Sequence, residues 1–236
     1  DDADERRGKP SVNTKWQSNL AIILGDYILA KTMALGMASA QYDIVSYVGS
    51  AMATLCEGEI LQSQHARELD TTRDDYFDII YQKTASLLGV CAALGALSVG
   101  ASREDIDRMR KYGEALGIAF QIQDDILDYA GTEAVGKPLG ADILEQKITM
   151  PLLGALKQVD PAVAAGIRKK IEDITGHPEY RDEILDFVKE NGGVAYAAKE
   201  LAGYIDQAIE ALSILPDSKA KDYLVELAYF TGKRIK

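Results

Sequence analysis

Residues 119–128 read AFQIQDDILD, and this stretch decides both the fold and the chemistry. Its apolar residues recur at helical spacing, and Asp124, Asp125 and Asp128 fall at i, i+1 and i+4. One helix would place these carboxylates side by side, and no lysine or arginine lies within a turn to neutralise them. Magnesium relieves such repulsion by binding carboxylates together with substrate phosphate oxygens. We predict a magnesium site here, with a solvated acidic face as the alternative.

Outward from this helix, apolar positions keep helical rather than alternating spacing, and only 6 prolines occur in 236 residues. This pattern predicts an all-α fold, a single large helical bundle forming one domain over residues 1–236. We expect helices at 10–40, 42–66, 72–99, 103–129, 143–159, 161–174, 181–191, 194–214 and from 218 to the end. Ser102 and Asp105 form a capping pattern before the fourth helix, and residues 131–140 are a glycine-rich loop. The first helix is apolar around most of its circumference, so we expect it to be buried in the centre.

The net charge of −11 argues against nucleic acid as the main partner, so any phosphate binding must be local. The most apolar stretch, residues 20–40, is interrupted by Asp26 and Lys31, from which we expect no membrane span. Residues 1–7 are almost wholly charged and do not resemble a signal peptide.

Cys56 and Cys91 lie in apolar surroundings without a second ligand at metal-binding spacing. We predict two reduced thiols in the core and a cytoplasmic protein.

Cations suited to a diphosphate occur at several places in the chain. Lys83 and Thr84 lie inside an otherwise apolar helix, where a buried ammonium needs a partner, although a surface lysine is the alternative. Lys137 follows Gly136 on the glycine-rich loop, where backbone and ammonium could both approach phosphate oxygens. Asp142 and Lys147 follow at the start of the next predicted helix.

Near the start of the chain, Arg6 and Arg7 precede Gly8 and Lys9 in a short basic cluster. Guanidinium groups suit bidentate phosphate contacts, and an exposed charged turn is the alternative reading of this cluster.

Together these residues resemble the trans-prenyl diphosphate synthases of the polyprenyl synthetase family, over essentially the whole chain. The matching elements are Arg6-Arg7-Gly8-Lys9-Pro10, Gly25-Asp26-Tyr27, Lys83-Thr84, Phe120-Gln121, Asp124-Asp125-Ile126-Leu127-Asp128, and Gly136-Lys137 followed by Asp142 and Lys147. The resemblance implies an all-α isoprenoid synthase fold, in which two aspartate-rich motifs face each other across a deep apolar cavity.

One departure concerns the family's first aspartate motif, whose last member lies five residues before the first arginine. That spacing falls on Asp1, so we expect the rest of the motif and the N-terminal helices to be absent from this chain.

The resemblance also implies roles for individual residues. Magnesium would be held by Asp1, Asp124, Asp125, Asp128 and Asp142. The substrates would be an allylic prenyl diphosphate, contacted by Arg6, Lys83 and Lys137, and isopentenyl diphosphate, contacted by Arg7. Gln121 would lie near the reacting carbons, while Thr84 and Lys147 would complete the catalytic and substrate-binding set. A homodimer is expected by the same resemblance.

Glu57-Gly58-Glu59 with Leu61-Gln62 resembles the long-chain, octaprenyl-type synthases that make quinone side chains. The alternatives are a short-chain farnesyl or geranylgeranyl diphosphate synthase, a noncatalytic partner subunit of a heteromeric synthase, a terpene cyclase and a purely structural helical protein. His65, expected at an exposed helix end, and His177, in a turn, are predicted to have no catalytic role.

Overall fold

The computed structural model describes residues 5–6, 9–16, 18–130 and 139–234, with side chains at all of these except 5, 6 and 18. The chain divides into two compact units, Asp1–Gly49 and Ser50–Lys236. This division does not test the expected single domain, which stays a prediction. The described residues form helices almost throughout, as the hydrophobic spacing predicts.

The first unit begins with two short antiparallel strands, in which Arg6 lies opposite Lys9. Its elements are β1 (Glu5–Arg6), β2 (Lys9–Pro10), α1 (Val12–Trp16), α2 (Ser18–Ala38) and the beginning of α3 (Tyr42–Glu68). Ala40 turns the chain with a φ of 56°, and Gly36 approaches Val45 so closely that a Cβ would lie 2.7 Å from Val45 Cγ2. The turn therefore pairs the end of α2 with the start of α3.

The prediction that the first long helix is buried is wrong. Of the described side chains of α2, none is buried, and Ile22, Ile23 and Leu35 are each more than 60% exposed. Apolar composition indicates that a helix surface is suited to burial. It does not indicate which other element, if any, packs against that surface.

Three helical stretches are long and apolar enough to cross a membrane, judged by length and composition: Asn19–Ala38, Tyr42–Glu68 and Arg73–Ser98. Asp26 and Lys31 do not disqualify the first of them, so the sequence-based exclusion of a membrane span is not supported by this criterion.

The second unit contains the remainder of the helices. These are α4 (Arg73–Ile80), a π-helical turn (Tyr81–Ala85), α5 (Ser86–Ser98), α6 (Arg103–Ala130), α7 (Ala141–Leu144), α8 (Met150–Leu156), α9 (Pro161–Glu172), α10 (Tyr180–Glu190), α11 (Gly193–Ala211) with a 3-10 turn (Leu212–Ile214), and α12 (Lys219–Lys233). The predicted capping pattern is confirmed, since Ser102 Oγ accepts a hydrogen bond from Asp105 N at 3.1 Å.

One predicted helix, residues 143–159, is divided in the structure. Gln146 has a φ of 58°, in the left-handed region, and Thr149 is extended, so α7 ends at Leu144 and α8 begins only at Met150. Apolar residues keep helical spacing on both sides of this break, so the sequence pattern does not indicate it. The break itself is set by the backbone conformation of Gln146 and Thr149.

α6 lies at the centre of the second unit and packs between α5 and α11. Glycines allow the helix backbones to touch: a Cβ at Gly113 would lie 2.3 Å from Leu88 O, and one at Gly117 would lie 2.5 Å from Ala85 Cα. Ile122 belongs to one buried apolar cluster and Tyr129 to the other. This packing holds the end of α6 beside the π-helical turn that carries Lys83 and Thr84.

The prediction that both thiols lie in the core is wrong, because Cys56 and Cys91 are free and exposed.

Candidate active site

Asp125 lies at the centre of a hydrogen-bond network that joins α4, the π-helical turn and α6. The residue is only 3% exposed, and its carboxylate accepts hydrogen bonds from Tyr76 Oη at 2.6 Å and Gln121 Nε2 at 3.3 Å. Thr84 Oγ1 donates in turn to Gln121 Oε1 at 3.2 Å. Burial and the charge of Asp142 raise the pKa of Asp125 well above its ordinary value, although the two hydrogen bonds oppose this. The network thus brings together Thr84, Gln121 and Asp125, whose roles in the site stay predictions.

Asp128 joins the end of α6 to the start of α7. Its two carboxylate oxygens accept hydrogen bonds from the backbone N–H groups of Ala141 and Asp142, each at 3.1 Å, and its carbonyl accepts one from Gly140 at 2.9 Å. Asp142 is thereby brought beside Asp128. Burial and the charge of Asp128 raise the pKa of Asp142 to about 6.

Asp124 is paired with a residue from the other end of the second unit. Arg234 Nη2 lies 2.5 Å from Asp124 Oδ1, and the guanidinium stacks on Phe120 at 4.0 Å from the ring centroid. Gln123 Nε2 donates to the carbonyl of Arg234 at 2.8 Å, which anchors the end of α12. The sequence contains no neutralising cation within a turn of the aspartates, and the tertiary structure supplies one from 110 residues away.

Asp124 thus contacts Arg234, Asp125 contacts Tyr76 and Gln121, and Asp128 contacts the start of α7, while the convergence of the three carboxylates on one ion stays a prediction. Within residues 5–6, 9–16, 18–130 and 139–234, no three His, Cys, Asp or Glu side chains are grouped so that they could hold a metal ion. The donor chemistry nevertheless suits magnesium: burial, and after it the charge of neighbouring carboxylates, raises the pKa of Asp125 and of Asp142, and a hard cation would stabilise their ionised forms. The metal-ligand assignment stays a prediction.

Two of the predicted lysines flank the Asp125 network. Lys83 Nζ donates to Gln62 Oε1 at 2.8 Å and lies 3.2 Å from Glu59 Oε1, so the partner required for this ammonium comes from α3. Lys147 forms an ion pair with Glu145. Burial lowers the pKa of Lys147, but this pair and the charge of Asp142 outweigh burial, and the net shift is upward. The Lys147 ammonium therefore stays charged.

These side chains surround one pocket, of about 70 Å³, in the second unit. Its lining includes Lys83, Gln121, Asp125, Asp142 and Lys147, together with the apolar side chains of Ile79, Ile80 and Ile148. Cations, carboxylates and apolar side chains therefore line the same pocket.

His65 also lines this pocket, so the expectation of an exposed helix end is wrong. Its side chain is 16% exposed, with Nδ1 2.7 Å from Asp70 Oδ1 and Nε2 3.9 Å from Asp75 Oδ1. The absence of a catalytic role for His65 stays a prediction.

Four predicted residues cannot be placed in the site. Asp1, Arg7 and Lys137 lie outside the described residues, and Arg6 is described only through its backbone in β1. Their assigned roles stay predictions.

Two residues of the site, Tyr76 and Arg234, were not predicted from the sequence, and Glu59 and Gln62 were noted only as indicators of product length rather than as partners of Lys83. Tyr76 could have been found, because it shares a helix face with Lys83 at i, i+7, through Ile79 and Ile80 at i+3 and i+4. Glu59 and Gln62 are likewise neighbours at i, i+3. No sequence pattern near Arg234 indicates that it would contact the aspartates of α6.

Comparisons of the sequence and of the structure with known proteins identify the same family. The family model for polyprenyl synthetase matches residues 1–188. The octaprenyl diphosphate synthase of Haemophilus influenzae is 34% identical over 235 residues, which cover 99% of this chain and 71% of that protein. A short chain isoprenyl diphosphate synthase of Methanothermobacter thermautotrophicus is 31% identical over 99% of this chain and 73% of its own length.

Among solved structures, a polyprenyl synthase from Caulobacter crescentus, complexed with calcium and isoprenyl diphosphate, superposes with a TM-score of 0.91. It is 29% identical, and the match covers 99% of this chain and 72% of that one. The similarity therefore extends through the whole fold, including the segments that carry the pocket.

Proposed function

The chain belongs to the polyprenyl synthetase family, and on that premise we propose that it condenses an allylic prenyl diphosphate with isopentenyl diphosphate. The products would be pyrophosphate and a longer all-trans prenyl diphosphate. One observation supports this most strongly: Lys83, Asp125, Asp142 and Lys147 line one pocket although they come from separate segments. Fixed cations beside carboxylates that suit a divalent ion are what an ionising diphosphate requires.

The reaction begins when the allylic carbon–oxygen bond breaks and its electron pair passes to the diphosphate. Lys83 and Lys147 stabilise the negative charge that grows on the leaving group, and they do so more in the transition state than in the ground state. Magnesium held by Asp124, Asp125, Asp128 and Asp142, with Asp1, would supply further neutralising charge. Ile79 and Ile80 shield the allylic cation from water.

Carbon–carbon bond formation follows, when the double bond of isopentenyl diphosphate donates its electrons to the allylic cation. The new cation then loses a proton. His65 lies in the pocket wall, but its two ring nitrogens face Asp70 and Asp75. We therefore assign the proton to the released pyrophosphate.

We propose a long-chain product for quinone side chains. The Glu57-Gly58-Glu59 motif with Leu61-Gln62 supports this, as does the similarity to an octaprenyl diphosphate synthase. The short-chain alternative is supported by the similarity to a short chain synthase.

The test is to incubate the full-length protein with farnesyl diphosphate, radiolabelled isopentenyl diphosphate and magnesium, and to measure the chain length of labelled product by reversed-phase chromatography. Labelled prenyl products of seven or more isoprene units support the long-chain proposal. Labelled geranylgeranyl product alone supports the short-chain alternative. An unlabelled hydrocarbon formed without isopentenyl diphosphate identifies a terpene cyclase, and product formed only with a second protein identifies a partner subunit.

We also propose a cytoplasmic homodimer. The exposed apolar side chains of α2, among them Ile22, Ile23 and Leu35, would be covered by a second copy. Sedimentation equilibrium tests this: a monomer at micromolar concentration contradicts the dimer. Ile23→Glu should shift the equilibrium towards monomer.

A further inference from the structure

A second cavity in the second unit, here called the rear cavity, has a volume of about 340 Å³. It lies between the start of α4 and helices α8, α9 and α11. Three cations line it, Arg73, Lys157 and Arg168, and the described lining contains no carboxylate. The chain as a whole has a net charge of −11, whereas the lining of this cavity is positively charged, which favours an anionic ligand.

Two of the three cations can bind an anion without first breaking an ion pair. Lys157 is exposed, with Nζ 5.5 Å from the ring centroid of Tyr196, and it has no carboxylate within 4 Å in the described part of the chain. Arg168 donates from Nη1 to the carbonyl of Leu69 at 2.7 Å, and an anion can compete with this neutral acceptor for the guanidinium. Arg73 is already paired with Glu200 at 2.9 Å.

The remainder of the cavity wall is largely apolar, formed by Leu153, Leu156, Ala164 and the ring of Tyr196. Its volume falls at the lower end of the range for small-molecule sites, roughly 300–1,000 Å³. A wall that combines cations with apolar side chains matches an anionic head with an apolar tail better than a free inorganic anion. We propose that the rear cavity is a regulatory site for a prenyl diphosphate; the choice of this ligand rests on the proposed function.

The segment between α3 and α4 connects the rear cavity to the active-site pocket. Thr71 is 4% exposed and lines both. Arg168 holds the carbonyl of Leu69, whose φ of 53° lies in the left-handed region that a leucine seldom adopts. The next residue, Asp70, is the partner of His65 in the pocket wall. A diphosphate that takes Arg168 away from Leu69 therefore loosens the His65 side of the pocket and inhibits the enzyme.

Binding is tested by calorimetric titration of farnesyl diphosphate in EDTA, which suppresses metal-dependent binding in the active site. The wild-type protein should bind, and Lys157→Ala should bind at least about 10-fold more weakly, while Lys189→Ala, an exposed lysine of α10, is the matched control. Inorganic diphosphate should bind at least about 10-fold more weakly than farnesyl diphosphate, since it lacks a tail. Unchanged affinity in Lys157→Ala would overturn the site, and equal affinity for inorganic diphosphate would overturn the prenyl ligand.

Regulation is tested in the magnesium-containing synthase assay over a range of farnesyl diphosphate concentrations. Lys157→Ala should match the wild-type rate at low concentration and lose the inhibition seen at high concentration. Identical inhibition in both proteins would overturn the regulatory role. Absence of product from both at all concentrations would instead contradict the proposed function, so the two failures are distinguishable.

Discussion

Arg234 Nη2 lies 2.5 Å from Asp124 Oδ1, so the last described residue of the chain neutralises the first aspartate of the motif on α6. A magnesium ion that binds Asp124 has to compete with this guanidinium. The Arg234 side chain is 15% exposed and the Asp124 side chain 52%, which makes the pair partly accessible to solvent.

Replacing this cation should make magnesium bind more tightly. A partly exposed ion pair contributes about 0.2–1 kcal/mol, so Arg234→Gln should lower the magnesium concentration for half-maximal activity by up to about 5-fold. The measurement is a magnesium titration of the synthase rate. Lys233→Gln, one residue earlier, is the matched control and should leave the titration unchanged. A higher magnesium requirement in Arg234→Gln would show that the guanidinium assists the site.

Gly58 should be required for the position of Lys83. A Cβ at this residue would lie 2.7 Å from Gln82 Cβ and 2.8 Å from Lys83 N, so Gly58→Ala must displace the π-helical turn. Overpacking of this kind costs about 1–3 kcal/mol, and we expect a lower melting temperature together with at least about 10-fold lower kcat/KM. Gly95→Ala in α5 is the control, because its Cβ would meet nothing within 4 Å. Wild-type kinetics in Gly58→Ala would contradict this role.

Tyr76 should stabilise the protein through its hydrogen bond to Asp125. Tyr76→Phe removes the donor at 2.6 Å and leaves a buried carboxylate less satisfied, at a cost of about 1–3 kcal/mol. Urea denaturation should report this loss in the free energy of unfolding. Tyr223→Phe, at an exposed tyrosine, should lie within about 0.5 kcal/mol of wild type. Equal stability of the two variants would mean that the Tyr76 hydrogen bond contributes little.

Asp142 should destabilise the metal-free protein at neutral pH. Its folded-state pKa of about 6 exceeds the ordinary 3.8, so the folded state binds more protons between these values, and stability falls as pH rises through this interval. Above pH 6 the penalty is constant, on the order of 1–3 kcal/mol. Asp142→Asn should remove it, raising the melting temperature in EDTA at pH 7 while weakening activation by magnesium. A lower melting temperature would contradict this electrostatic origin.

Some errors of the sequence analysis share one cause. Apolar composition indicated burial for α2, Cys56 and Cys91, yet α2 has no buried described side chain and both cysteines are exposed. His65 was expected to be exposed, and it lines the pocket. Burial depends on which elements pack together, and local composition does not contain that information.

The amino-acid sequence by itself determined the features that depend on neighbours within a turn. These are the helical character of the chain, the Ser102 cap of α6 and the spacing of Asp124, Asp125 and Asp128 on one helix. The tertiary structure alone decided the partners of those aspartates: Arg234 for Asp124, Tyr76 for Asp125 and the start of α7 for Asp128. The physical reason is range. Helix formation and capping depend on contacts over three or four residues, whereas the charge and hydrogen bonding of the site depend on side chains that packing brings together from 49 and 110 residues away.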